Sequence, residues 1–144
     1  MTTPWPPLAE LATQVRTGRV SSRELVAEAL ARIERVDPEV HAWVTVDAER
    51  AFAEATRIDE MVAAGGDPGL LAGIPIGVKD LEHATGFVTT NGSLLHAGDP
   101  PATSDSVLVA RLRAAGCVVL GKLNTPEFGF SADKTLKLAQ ALYE

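Results

Sequence analysis

Hydrophobic positions recur at helical spacing through the first part of the chain and fall into short apolar runs beyond it. Leu8, Leu11, Ala12 and Val15 predict a short helix that Pro7 opens and Gly18 closes. A second helix starts at Ser21, where Ser21-x-x-Glu24 has the form of a capping box ahead of a stripe of Leu25, Val26, Ala29, Leu30 and Ile33. Asp37-Pro38 is expected to end it. After a brief extended piece over residues 41–46, Asp47 can cap a third helix with Ala48, Ala51, Phe52, Ala55, Ile58 and Val62 on its inner side, and residues 65–69, Gly-Gly-Asp-Pro-Gly, break the pattern. Arg32, Glu34, Arg35, Glu49, Arg50, Glu54 and Arg57 fall on the polar sides of these helices and read as a solvated face.

The pattern then changes period. Residues 73–81 alternate as a strand, with Ile74, Ile76 and Val78 on one face and Pro75, Gly77, Lys79 and Leu81 on the other. A long connection over residues 82–103, rich in Thr, Gly, His and Pro, follows; unstructured connections of that length are often functional. A helix is expected from about Ser104 to Ala115, Ser104 and Ser106 serving as helix-start residues, and residues 117–121 read as a short, fully buried strand. Strand, crossover with helix, and strand make a right-handed βαβ unit the economical topology, so the expected class is α/β. Residues 134–144 would suit a marginal amphipathic helix through Leu136, Ala139, Ala141, Leu142 and Tyr143.

Composition narrows the picture. The chain has the length of one domain, and its net charge of −6 argues against a general nucleic-acid surface. Cys117 is the single cysteine, so an intrachain disulfide and a cysteine metal cluster are ruled out; it reads as a small core residue. His41, His83 and His96 lack ligand-like spacing, and no metal or cofactor is expected. The N-terminal residues lack a basic region followed by an apolar one, and no run approaches the roughly 18 apolar residues of a membrane span, so a soluble, cytoplasmic protein is expected.

One residue stands out chemically. Lys79 sits among small or rigid neighbours in an otherwise apolar segment, where a partly desolvated ammonium would lose its charge more readily. The plainer reading is a strand-end lysine whose tip reaches water. A lysine in such a place could also form a Schiff base.

Leu71-Ala72-Gly73-Ile74-Pro75-Ile76-Gly77-Val78-Lys79-Asp80, together with Thr89-Thr90-Asn91-Gly92-Ser93, resembles the amidase signature family. The likeness continues, in order and spacing, through Asp105-Ser106, residues 109–116, and Val119-Leu120-Gly121-Lys122-Leu123-Asn124-Thr125-Pro126-Glu127-Phe128-Gly129-Phe130-Ser131. It implies N-terminal helices followed by a βαβ part of that family's mixed sheet, and an enzyme that hydrolyses or transfers amides with a serine nucleophile, a second serine in a cis peptide, and a proton-shuttling lysine. Lys79 aligns with that lysine. A serine hydroxyl is a poor nucleophile until a positioned base takes its proton, and a free lysine with pKa about 10.4 must be held neutral to serve. Thr125, Glu127, Phe128 and Gly129 lie where the family builds part of its substrate pocket, although a loop that merely covers the sheet fits the residues equally well.

The resemblance implies that both family serines lie downstream, in and around a Gly-Gly-Ser-Ser-Gly-Gly segment, which this sequence does not contain. Ser21, Ser22, Ser93, Ser104, Ser106 and Ser131 lack the nucleophile's flanking sequence. The resemblance is good from about Leu70 to Asp133 and looser over the N-terminal helices, so residues 1–133 read as the N-terminal part of such a domain and residues 134–144 as a non-matching tail. The expectation is therefore a truncated gene product or an N-terminal fragment, inactive alone, whose full form takes a small-molecule amide. The alternative is a non-catalytic α/β module that associates with a partner, either a separate C-terminal remainder or another copy meeting its uncovered sheet edge. No nucleic-acid or membrane partner is expected.

Overall fold

The computed structural model describes residues 6–129. Helices α1 (Leu8–Arg16), α2 (Ser22–Val40) and α3 (Ala48–Ala63) precede and flank a mixed sheet of β1 (Trp43–Val46), β2 (Pro75–Lys79) and β3 (Val118–Leu123), with α4 (Val107–Ala114) between the last two strands. The strand order is β1-β3-β2; β3 runs antiparallel to β1 and parallel to β2. The expected α/β class therefore holds, and the extended piece after α2 becomes a full sheet member.

Local chemistry accounts for most boundaries. Ser21 accepts a hydrogen bond from the Glu24 amide at 3.1 Å while the Glu24 carboxylate accepts from the Ser21 amide at 2.7 Å, so the capping box is complete. Those contacts hold the Glu24 carboxyl below its ordinary pKa. Asp47 caps α3 through the Arg50 amide at 2.9 Å, and Ser106 caps α4, which begins at Val107, later than Ser104 suggested.

Asp37-Pro38 does not end α2. Pro38 lies inside the helix, which runs on to Val40 and closes where His41 adopts a left-handed conformation. The proline ring removes only its own donor, whereas the Asp37 carboxylate accepts from the Ala42 and Trp43 amides and turns the chain into β1. The stop signal is thus the aspartate's side chain.

The core has three parts. Leu11, Ala12, Val15, Leu25, Ala72, Ile74 and Cys117 join α1 and α2 to the start of the sheet. Val118 and Leu120 pack with Val26, Ala51 and Ala55 of α2 and α3, while Val119 points the other way, into Val78, Ala84, Phe87 and Val109. Glu54 departs from the expected solvated face. It pairs with Arg113, itself 3.2 Å from Asp105, and its second oxygen accepts from the Val119 amide at 3.2 Å. β1 joins β3 only from Gly121 onward, so a side chain from α3 satisfies this earlier amide of β3.

The long connection holds one 3-10 turn, Leu94–His96, and is pinned at several points. Gly86 donates to Ala102, Ala102 to Phe87, Thr85 to Asp105 and Ser106 to His83. The Arg50 guanidinium lies 5.5 Å from the centre of the Phe87 ring.

Candidate active site

Both parallel strands deliver a lysine near their C-terminal ends. Register pairs Lys79 of β2 with Leu123 of β3, and Val78 with Lys122. Since in-register partners share a face, Lys79 and Lys122 stand on opposite sides of the sheet. Lys79 is exposed, and no side-chain hydrogen bond or ion pair among the described residues involves it. Its setting is therefore the plainer of the two expected: β2 delivers the amine to solvent, and the burial foreseen from its neighbours is absent among the described residues. Its backbone is held nonetheless. The Lys79 carbonyl accepts from Glu82 at 3.0 Å, and the next residue, Asp80, donates to Leu123 at 2.9 Å.

Lys122 meets the reverse conditions. It is fully buried, and its ammonium donates to the Glu82 carbonyl and the Thr89 hydroxyl, each at 2.7 Å, and lies 3.1 Å from Asp80 Oδ1. Burial disfavours the charged form and holds the Lys122 pKa below the ordinary lysine value, with the Asp80 carboxylate acting against that shift. Asp80 is equally buried and accepts from the Thr90 amide at 3.1 Å and from the Thr90 hydroxyl. The ammonium and the carboxylate are thus satisfied together, as buried charges require.

This pair was not singled out from the sequence. The signal was present: Lys122 interrupts an apolar run that the structure extends to Leu123, and a lysine inside a central strand demands a carboxylate partner. The partner itself is a long-range choice that the pattern does not name.

The loop after β3 meets the loop after β2. Ser93 donates to the Glu127 carboxylate at 2.6 Å, and the Phe128 amide donates to the Asn91 carbonyl at 2.6 Å. Gly92 has φ +71°, and a methyl group there would come within 2.5 Å of the Thr125 carbonyl oxygen. Thr125 is buried, and its hydroxyl has no hydrogen-bond partner among the described residues. Phe128 is half exposed with φ +50°, its ring edge-on to His96, and Gly129 lies against Leu81. The structure therefore brings Thr125, Glu127 and Phe128 onto the Thr89–Ser93 segment that Asp80 anchors, while Gly129 packs beside Leu81. Residues 134–144 lie outside the described residues. Among those described, no group of three or more His, Cys, Asp or Glu side chains is placed to hold a metal ion.

A mixed sheet with a lysine-bearing strand end and two abutting loops agrees with the family that most of the chain matches. The Amidase family model matches residues 24–138, and the chain belongs to that family. Among curated relatives, it is 48% identical over 122 residues to the A-type subunit of glutamyl-tRNA(Gln) amidotransferase from Synechococcus sp. (strain WH7803), covering 84% of this chain and 25% of that protein. It is 43% identical over 128 residues to AtzE, a component of the 1-carboxybiuret hydrolase of Pseudomonas sp. (strain ADP), covering 88% of this chain and 28% of the other. The peptide amidase of Stenotrophomonas maltophilia superposes with a TM-score of 0.77 at 36% identity over 84% of this chain and 25% of its own. A bacterial aryl acylamidase of the amidase signature family gives a TM-score of 0.80 at 28% identity, over 88% and 26%. The chain spans about a quarter of the length of these relatives.

Proposed function

We propose that this chain is the lysine-bearing N-terminal portion of an amidase-signature hydrolase acting on carboxamide C–N bonds, with Lys79 as the proton-transferring base. The observation that carries this reading is the placement of Lys79. It projects, exposed, from the C-terminal end of a strand in a parallel pair, the end at which open α/β sheets place their ligands. The Thr89–Ser93 and Thr125–Gly129 segments meet one another after the ends of the same two strands, and that meeting supports assigning Thr125, Glu127, Phe128 and Gly129 to the substrate pocket.

In the complete enzyme, Lys79 would take a proton, through the second serine, from the serine nucleophile. The serine oxygen then bonds to the amide carbon, the C–N bond breaks, and the departing amine or ammonia receives the proton. Water next attacks the acyl-enzyme and releases the acid. Lys79 alone cannot run this sequence, because the two hydroxyls are not among the residues of this chain. The chain by itself is therefore inactive. Its natural complement is the serine-bearing remainder of the fold, and a small-molecule amide is the substrate of the whole. Two surfaces could receive that remainder: the free edge of β2, and the mainly apolar groove beside it formed by Ile33, Val36, Val40, Trp43, Pro75 and Gly77. A cytoplasmic setting suits the single, buried thiol.

Amide hydrolysis by the 144-residue chain should not exceed the buffer rate. Joined to a serine-bearing segment from a relative, it should hydrolyse amides, and Lys79→Ala should abolish that activity. Hydrolysis by the chain alone that disappears in Lys79→Ala would overturn the inactivity; restored activity that survives Lys79→Ala would overturn the role of Lys79.

A further inference from the structure

We propose that Asp80 and Lys122 are positioning residues for Lys79: the buried pair locks the end of β2 to the Thr89–Thr90 segment and so fixes the root of the Lys79 side chain. This inference rests on the reading of Lys79 as the base. Lys122 is unavailable for that role itself. Its side chain lies on the face opposite Lys79, it is fully buried, and its ammonium is already engaged with Asp80, Glu82 and Thr89.

Its contacts instead converge on the backbone around Lys79. One runs to Asp80, the residue directly after the base. Another runs to the carbonyl of Glu82, whose own amide donates to the Lys79 carbonyl. The third runs to the Thr89 hydroxyl, next to Thr90, whose amide and hydroxyl both donate to Asp80. β2, the turn after it and the distant loop are therefore tied to one ammonium rooted in β3, the middle strand of the sheet.

A buried ion pair is a costly way to fill space, since well-packed apolar residues of similar volume often serve stability as well or better. What apolar residues cannot supply is an ammonium that joins a carboxylate, a carbonyl and a hydroxyl from separate segments at fixed distances. A base must stand within hydrogen-bond reach of the proton it takes, so fixing its backbone serves catalysis directly.

Amide hydrogen exchange read by NMR on the full chain separates this role from simple stabilisation. The amides of Asp80, Glu82 and Thr90 report the brace, and those of Val118 and Val119 report the core. In Lys122→Met and in the double variant Asp80→Asn/Lys122→Met, exchange at the three brace amides should rise about tenfold or more relative to the core amides. The double variant leaves no unpaired buried charge, so it should regain unfolding stability without regaining that local protection, and Lys79 should show increased backbone mobility by relaxation. Recovery of brace protection in the double variant, or an equal rise at all five amides, would overturn the proposal. Should Lys122→Met not fold, Thr90→Val leaves the ion pair intact while removing one donor to Asp80. Exchange at position 90 and at Asp80 should then rise, and unchanged exchange at both would equally overturn it. None of these readouts requires turnover, so this inference and the catalytic assignment of Lys79 can fail separately.

Discussion

The two parallel strands end alike in sequence and differ in what surrounds their lysines. β2 carries Lys79 out to solvent, while β3 carries Lys122 into a fully buried contact with Asp80. Desolvation is the property that the sequence suggests for Lys79, yet among the described residues it belongs to Lys122. Among the described residues, the buried lysine is therefore not the one proposed as the base. A reacting group needs an open side from which substrate and partner hydroxyls can approach, whereas a brace needs every donor occupied. On the proposed roles, the two strand ends would divide these requirements between them.

The most severe way to break the contrast is to remove one charge of the buried pair. Asp80→Ala should cost about 3–5 kcal/mol, because Lys122 is left buried without its carboxylate, and a urea melt measures the loss. Glu54→Ala should cost about 1–3 kcal/mol by leaving the buried Val119 amide without its acceptor and Arg113 with Asp105 alone, which locates the same rule elsewhere in the sheet. At the exposed strand end, Lys79→Ala should change unfolding stability by less than about 0.5 kcal/mol while abolishing activity in the completed enzyme. A cost comparable to that of Asp80→Ala would erase the distinction between the two lysines.

A subtler test uses pH. Burial pushes the Cys117 thiol from an ordinary value of 9.0 up to about 11. Its stabilising contribution is full below pH 9.0 and is lost as pH rises through about 11. Lys122 carries the opposite sign. Its folded pKa is lowered, so its contribution is present above the ordinary lysine value and lost as pH falls through the lowered one. Cys117→Ala should therefore flatten the fall in stability between pH 9.0 and about 11, as followed by denaturant titrations across that range. An unchanged alkaline slope would mean that the thiol titrates alike in the folded and unfolded chains.

Much of this architecture was readable because it rests on short-range rules. The Ser21–Glu24 box, the Asp47 cap and the alternation that buries Val78 and exposes Lys79 all follow from neighbouring residues. What was not readable depends on contacts between distant segments. Glu54 looked like one more charge on a polar helix face, and only the late start of the β1–β3 ladder gives it an amide to satisfy. Lys122 and Asp80 were both visible inside recognisable motifs, but their pairing requires β2 and β3 to lie side by side in the observed register. Pro38 does not stop α2, because the turn is made by the adjacent Asp37 carboxylate, which accepts from the Ala42 and Trp43 amides.

The division between the strand ends can be measured directly by labelling amines in the folded chain with a small acylating reagent and locating the products by mass spectrometry. Lys79 should react at the rate of an ordinary surface lysine, and Lys122 at least about tenfold more slowly, reaching the Lys79 rate only in denaturant. Comparable labelling of Lys122 and Lys79 under native conditions would contradict the account, because the amine assigned to the brace would then be free.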